Sequence, residues 1–157
     1  MIVGVISDTH GLLRPEAVAG LAGARHILHA GDIGSAEVLA GLQVIAPTTA
    51  IRGNVDRGTH NGRNWAAEIP DTRTVRLAGL AVYLIHNVAE LALDPKAAGI
   101  AVVVSGHSHK PKIATVDGVL YVNPGSAGPR RFTLPVAVAI LEVTDGGVVA
   151  RIVEIAP

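Results

Sequence analysis

The chain has 157 residues, 49% of them hydrophobic, with 13 basic and 13 acidic side chains and a formal net charge of zero. That length fits one domain, 1–157, able to bury a substantial core, and the balanced charge offers no footprint for a nucleic-acid backbone, so no nucleic-acid partner is expected. Cysteine is absent, which excludes disulfides, iron–sulfur clusters and thiolate zinc sites; any metal must be held by nitrogen and oxygen.

The opening run Ile2 to Ile6 reads as a buried strand ending in Asp8-Thr9-His10. It turns polar too early for a secretory signal, and no apolar run approaches ~18 residues, so a cytoplasmic location without a membrane partner is expected. Pro15 to Leu21 carries apolar residues at helical spacing, with proline at the start and Gly23 at the exit. His26 to Ala30 predicts a second strand, ending in Gly31-Asp32, where glycine lets the backbone approach a neighbouring ligand. Ser35 is placed to cap a helix through Leu42, and Ala50 to Arg52 leads as a strand into Gly53-Asn54-Val55-Asp56.

The segment 57–71 lacks periodicity and reads as a loop, with His60, Asn61 and Arg63 as side chains that could meet substrate. Thr72 to Leu77 and Leu80 to Ile85, joined by Ala78-Gly79, predict a hairpin that delivers His86-Asn87. Ala89 to Ala98 reads as a short helix interrupted by Pro95, and Ile100 to Ser105 as a strand ending in Gly106-His107-Ser108-His109. Asn123-Pro124-Gly125-Ser126 and the pair Arg130 and Arg131 follow, and Pro135 to Ile155 forms two β-rich arms around Thr144-Asp145-Gly146-Gly147. Early strand–helix alternation followed by hairpins predicts an α/β fold: two packed mixed β-sheets with helices outside, a four-layer αββα sandwich.

Taken singly, most of these polar clusters are weak signals, because Asp-x-His, Gly-Asp and Gly-Asn occur often as surface polarity or turns. His107 and His109, directly after an apolar strand, are harder to dismiss. The joint pattern decides: Asp8, His10, Asp32, Asn54, His86, His107 and His109 fall at five strand ends, the edge where α/β sheets carry their sites. Such a set suits a pair of divalent cations. Two divalent ions against the carboxylates of Asp8 and Asp32 leave a positive centre, which a bridging hydroxide lowers without cancelling, and which attracts an anionic phosphoryl group. His29, three residues before Asp32, should face away and reads as structural; Asp56 braces the Asn54 turn, and Asn123 and Ser126 orient the histidines.

The ordered set Asp8-x-His10, Gly31-Asp32, Gly53-Asn54, His86 and Gly106-His107-x-His109 resembles the calcineurin-like metallophosphoesterase superfamily. The Gly53-Asn54-Val55-Asp56 form, the short length and Asn123-Pro124-Gly125-Ser126 are similar to its small YfcE-like bacterial and archaeal phosphodiesterases. The resemblance implies the αββα sandwich and a binuclear centre, one metal on Asp8, His10, Asp32 and His109 and the other on Asp32, Asn54, His86 and His107, with Asp32 bridging. It implies two divalent ions, manganese preferred, with nickel, zinc or magnesium able to substitute. Phosphodiester hydrolysis by in-line attack of a metal-bridging hydroxide is then expected, with Asp32, Asn54 and His86 as the catalytic set and Arg130 and Arg131 binding the substrate phosphate. The partners implied are a small phosphodiester and further copies of the chain, as a homodimer or larger assembly.

Two positions depart from the pattern: Val55 stands where larger members carry a histidine, and Asn87 where many carry glycine. Without that histidine the chain lacks a side chain to help protonate the leaving group, so diesters and activated aryl esters should be favoured over alkyl monoesters. The rival reading is a non-catalytic scaffold, since the superfamily includes a metallophosphoesterase-like retromer subunit. Loss of ligands would favour it, and here every expected ligand is present.

Overall fold

The first strand, β1 (Ile2–Ile6), turns Val3 and Val5 toward one buried cluster and Ile6 toward another, the period-2 alternation of a strand covered on both faces. The computed structural model describes residues 1–58 and 64–156. His60, Asn61 and Arg63 lie outside the described residues. After β1 come α1 (Pro15–Gly20), β2 (His26–His29), α2 (Ala36–Ile45), β3 (Thr48–Ala50), β4 (Thr72–Leu77), β5 (Leu80–Ile85), β6 (Ile100–Val104), β7 (Lys112–Val116), β8 (Val119–Asn123), β9 (Val136–Thr144) and β10 (Gly147–Ala156).

These strands make two five-stranded mixed sheets, ordered β10-β9-β1-β2-β3 and β4-β5-β6-β8-β7. In the first, β1, β2 and β3 run parallel; in the second, β5, β6 and β8 do. Val3, Val5 and Leu28 of one sheet pack against Val82, Leu84, Val102, Val104 and Val122 of the other in the central core. Each such side chain taken from water contributes about 1.5–3 kcal/mol, so this aliphatic layer holds the sheets face to face. Ile6, Ile27 and Val138 carry Leu21 of the α1 segment and Val38 and Leu42 of α2 on the outer face of the first sheet. Ser35 occupies the N-cap of α2, but its side chain makes no capping hydrogen bond.

The outer face of the second sheet is covered differently from expectation. In place of a helix over 89–98 there is a single 3₁₀ turn, Val88–Glu90, followed by turns, with Leu91 and Leu93 packed on Ile85, Ile100, Val103 and Val119. The Asn87 side chain caps the turn by accepting the Ala89 amide at 3.1 Å. Asp94 takes the amides of Lys96 and Ala97 at 3.1 and 3.4 Å, and Pro95 disfavours helical geometry in the residue before it, so helix propagation fails here. The β7–β8 hairpin is an addition that the sequence reading did not identify. It turns through Asp117 and Gly118, both at positive φ (52° and 78°), as the β4–β5 hairpin does through Ala78 and Gly79 (49° and 84°). No helix among the described residues is long and apolar enough to cross a membrane.

Candidate metal centre

The carboxyl ends of the parallel strands bring Asp8, His10, Asp32, His86, His107 and His109 to one place. Asp8, His10 and His109 offer ligand atoms within 4.8 Å of one another, and so do Asp8, Asp32 and His86. Asp8 Oδ1 lies 3.3 Å from His109 Nε2 and 3.8 Å from both His10 Nε2 and His86 Nε2. Asp32 Oδ2 lies 3.3 Å from His86 Nε2 and 3.7 Å from His10 Nε2. Asp8 is thus common to both compact groups, while Asp32 faces one histidine of each metal set that the family resemblance implies. The His107 ring stands edge-on to His86 with centroids 5.3 Å apart, and its amide donates to Asp8 Oδ2 at 3.1 Å. Asn54 is exposed at the start of a 3₁₀ turn, Asn54–Asp56, and lines a cleft of about 150 Å³ together with Arg57, His86 and Asn87.

The backbone at this edge is strained. Asp8, His10, Asp32, His107 and His109 all have φ between 49° and 71°, a region where a residue with a side chain costs roughly 1–2 kcal/mol. Such a cluster persists only where surrounding contacts dictate it, and they do. Asp56, fully buried, accepts the amides of Ile33, Gly34 and Gly53 at 3.0, 2.9 and 2.9 Å, tying the Asp32 loop to the Asn54 turn. Asn123 donates to the Gly106 carbonyl at 2.9 Å and to Ser108 Oγ at 3.1 Å, which fixes the loop bearing His107 and His109. Ser126 Oγ donates to the Asp8 carbonyl at 3.0 Å, so it braces Asp8 where a partner for the histidines was expected. A Cβ on Gly31 would sit 2.8 Å from His86 Nδ1 and 2.7 Å from the Gly53 nitrogen, so the close approach expected there needs glycine.

One brace, Ser7, escaped the sequence reading, and a second, His29, reads there as structural. Ser7 Oγ donates to Asp8 Oδ2 at 2.7 Å, which leaves Oδ1 as the free oxygen. His29, fully buried, accepts the Gly31 amide at Nδ1 (3.1 Å), so its Nε2 carries the proton and donates to Thr9 Oγ1 (3.0 Å); Thr9 in turn donates to the Ile33 carbonyl (2.8 Å). A serine at a strand end carries no distinguishing signal, whereas the spacing of His29 already placed it on the face away from Asp32.

Electrostatics argue for a cation. Among the described residues, the four buried side-chain nitrogen and oxygen atoms without a hydrogen-bond partner all belong to this cluster: Asp8 Oδ1, His10 Nε2, His86 Nε2 and His109 Nδ1. Buried polar atoms are ordinarily paired, and Asp8 Oδ1 with His10 Nε2 and His86 Nε2 each 3.8 Å away is a set of N and O donors that a divalent ion would satisfy. Burial pushes the Asp32 carboxyl upward, yet the His86 ring beside it, the Val55 amide at 3.1 Å and the nearby His10 outweigh that and hold it well below the usual carboxylate range. For His86, burial pushes down, but the Asp32 and Asp8 carboxylates and the Ala30 carbonyl raise it overall. Both shifts express one fact: the site favours negative carboxylates around positive charge.

Arg130 and Arg131 are exposed on the loop between β8 and β9. Asn87 is half-buried, with its side chain engaged in capping the 3₁₀ turn.

Comparison with known proteins agrees with this geometry. The calcineurin-like phosphoesterase superfamily domain matches residues 1–146. A probable metallophosphoesterase of Methanothermobacter thermautotrophicus is 33% identical, the match covering 98% of this chain and 92% of that protein. A solved archaeal phosphodiesterase superposes with a TM-score of 0.77 at 25% identity, covering 98% of this chain and all of that one. Vacuolar protein sorting 29 of Cryptosporidium parvum shares the fold, with a TM-score of 0.74 at 18% identity over 99% and 98% of the two chains. With the motifs at the carboxyl ends of two packed mixed sheets, and a family match that spans nearly all of it, the chain belongs to the calcineurin-like phosphoesterase superfamily.

Proposed function

We propose that the chain is a binuclear metal-dependent phosphodiesterase acting on a small phosphodiester. One observation supports it above the rest: Asp8 Oδ1 is surrounded by the Nε2 atoms of His10, His86 and His109 at 3.3–3.8 Å and is hydrogen-bonded to none of them. When bound, two divalent ions would lower the pKa of coordinated water toward ~7 and stabilise charge growing on the transferring phosphoryl group.

The residues supply the rest. Asp8 and Asp32 partly neutralise the ions and leave the centre attractive to an anion. His86 donates a hydrogen bond from Nδ1 to the Ala30 carbonyl, which turns Nε2 into the site as its ligand atom. Asn54, Arg57 and His86 line one cleft with Asp71 and Glu90, where the Arg57 guanidinium is paired with Asp71 at 3.4 Å, so a phosphoryl group held there meets the neutral Asn54 amide. In the reaction the oxygen of water joins phosphorus, the ester P–O bond on the far side breaks, and the departing oxygen takes its proton from solvent. Val55 has no proton to give, so ester groups that leave as stable anions are favoured. Arg130 and Arg131 are the proposed clamp for the substrate phosphate.

The test is hydrolysis of a bis-aryl phosphodiester by chelator-stripped protein with Mn²⁺ added back, beside an Asp32→Ala variant. Manganese-dependent turnover lost in Asp32→Ala supports the reading. No turnover with Mn²⁺, Ni²⁺, Zn²⁺ or Mg²⁺, from protein shown to bind metal, overturns it in favour of a scaffold.

A further inference from the structure

Beside the metal centre, on the outer face of the second sheet, lies a groove of about 510 Å³, within the size range of small-molecule sites. It meets the small cleft of Asn54 and His86 at Asn87, which lines both, and His107 forms part of its wall. Its two ends differ. Lys112 pairs with Asn123 at the end of the β7–β8 ladder next to the metal centre, and Lys110 precedes it in the same wall. No acidic residue is among the described lining residues, so this end is positive. Farther along, Ala114 pairs with Tyr121 and Val116 with Val119, and here the lining is apolar; Val88, two residues after His86, also lines the groove. Val116 is 53% exposed and Val88 41%, so this apolar surface is not consumed by the core.

Resting on the phosphodiesterase reading, we propose that this groove holds the second arm of the substrate, an arm of nucleotide type with an anionic group next to the scissile phosphate and an aromatic ring beyond it. The order of features along the groove matches the order of groups along such an arm: phosphoryl group at the metals, anion at Lys110 and Lys112, ring against Tyr121, Ala114 and Val116. A ring buried there stacks on Tyr121 and covers Val116, which supplies affinity without a base-specific hydrogen bond. A simple alkyl or inorganic phosphate fills only the charged end and leaves the apolar end wet. The substrate class is thereby narrowed to esters with a ring-bearing, phosphate-containing arm.

The experiment titrates magnesium-loaded full-length chain with adenosine 5′-monophosphate and, separately, with ribose 5-phosphate, following backbone amide shifts by NMR. Expected are shifts at Lys112, Ala114, Val116 and Tyr121 for the nucleotide, and affinity about tenfold above that of the ringless sugar phosphate, the equivalent of one stacked ring. Val116→Trp, on an exposed edge strand, should erase that preference, and Lys110→Gln with Lys112→Gln should weaken both ligands about fivefold. Equal affinities, nucleotide shifts confined to 54–57, or a dimer that Val116→Trp converts to monomer would each overturn the proposal, the last by assigning the groove to a second copy. Wild-type turnover of the bis-aryl diester is read alongside. Turnover without ring preference removes the groove and keeps the hydrolase, whereas ring preference without turnover does the reverse.

Discussion

His86 donates its Nδ1 proton to the carbonyl of Ala30 at 2.7 Å, across 56 residues of chain and from one sheet to the other. A carbonyl can only accept, so Nδ1 carries a proton and Nε2 is the ring atom turned toward Asp32 Oδ2 and Asp8 Oδ1. Between two carboxylates the ring favours positive charge at Nε2, which a metal ion supplies when it displaces the Nε2 proton. His86→Gln should therefore lower bound manganese from about two ions per chain to about one, and turnover of a bis-aryl diester by about 10²-fold or more. Elemental analysis after gel filtration checks the first and a chromogenic assay the second. Full metal content in the variant would remove His86 from the ligand set.

Asp56 carries stability where His86 carries binding. Its carboxylate satisfies three backbone amides from two loops, and Asp56→Ala would leave those amides without a partner in a buried place. At about 1 kcal/mol or more for each, the loss should reach about 3 kcal/mol, with Asp56→Asn losing less because one carbonyl oxygen remains. Urea unfolding measures both. Because these amides belong to the Asp32 and Asn54 loops, metal affinity should fall along with stability.

The strands were legible because β1, β5 and β6 are largely apolar, mostly buried runs, while β2 sets Ile27 and Leu28 between two histidines. β7 was not, since Lys112–Val116 is a largely exposed edge strand without buried alternation; the Asp117-Gly118 turn was the available signal. Residues 89–98 misled because their alanines and leucines suit a helix, while Asp94 and Pro95 divert the local amides into turns. At the site, side chains that offer ligand atoms could be read from type and position. The Ser7 brace could not, because a serine at a strand end carries no signal, nor could the full reach of Asp56, because only the fold brings Ile33 and Gly34 to it across 23 and 22 residues.

His29 gives the fold a dependence on pH. Burial, the largest cause, pushes its pKa from 6.5 to about 4, and its Nδ1 is occupied in accepting the Gly31 amide. Between those values the unfolded chain binds a proton that the folded chain refuses, so stability rises with pH: it is complete above 6.5 and is lost as pH falls toward 4. The full difference is about 3 kcal/mol. Asp32 acts in a lower window, its contribution fading only as pH falls below its ordinary value of 3.8. Urea midpoints of chelator-treated protein from pH 4 to 7 should show this slope, and His29→Gln should flatten it. An unchanged slope in the variant would assign the pH dependence elsewhere.

Val55 sets the final prediction. Its amide donates to Asp32 Oδ1 at 3.1 Å, so the backbone here is held by a bond that any side chain would keep. The side chain itself is 37% exposed at the rim of the site, which leaves room for an imidazole. Alkyl oxygens are poor leaving groups and need a proton as the P–O bond breaks, whereas aryl oxides depart without one. A positioned acid contributes 10²–10⁴-fold, so Val55→His should speed hydrolysis of an alkyl phosphomonoester by about 10²-fold. Turnover of a bis-aryl diester should stay within about twofold, because proton donation is not limiting for that leaving group. The pH–rate profile for the monoester should also fall off above the imidazole pKa, a limb that the wild type lacks. If the wild type already hydrolyses alkyl monoesters as fast as bis-aryl diesters, the leaving group gets its proton from another group and Val55 does not set the preference.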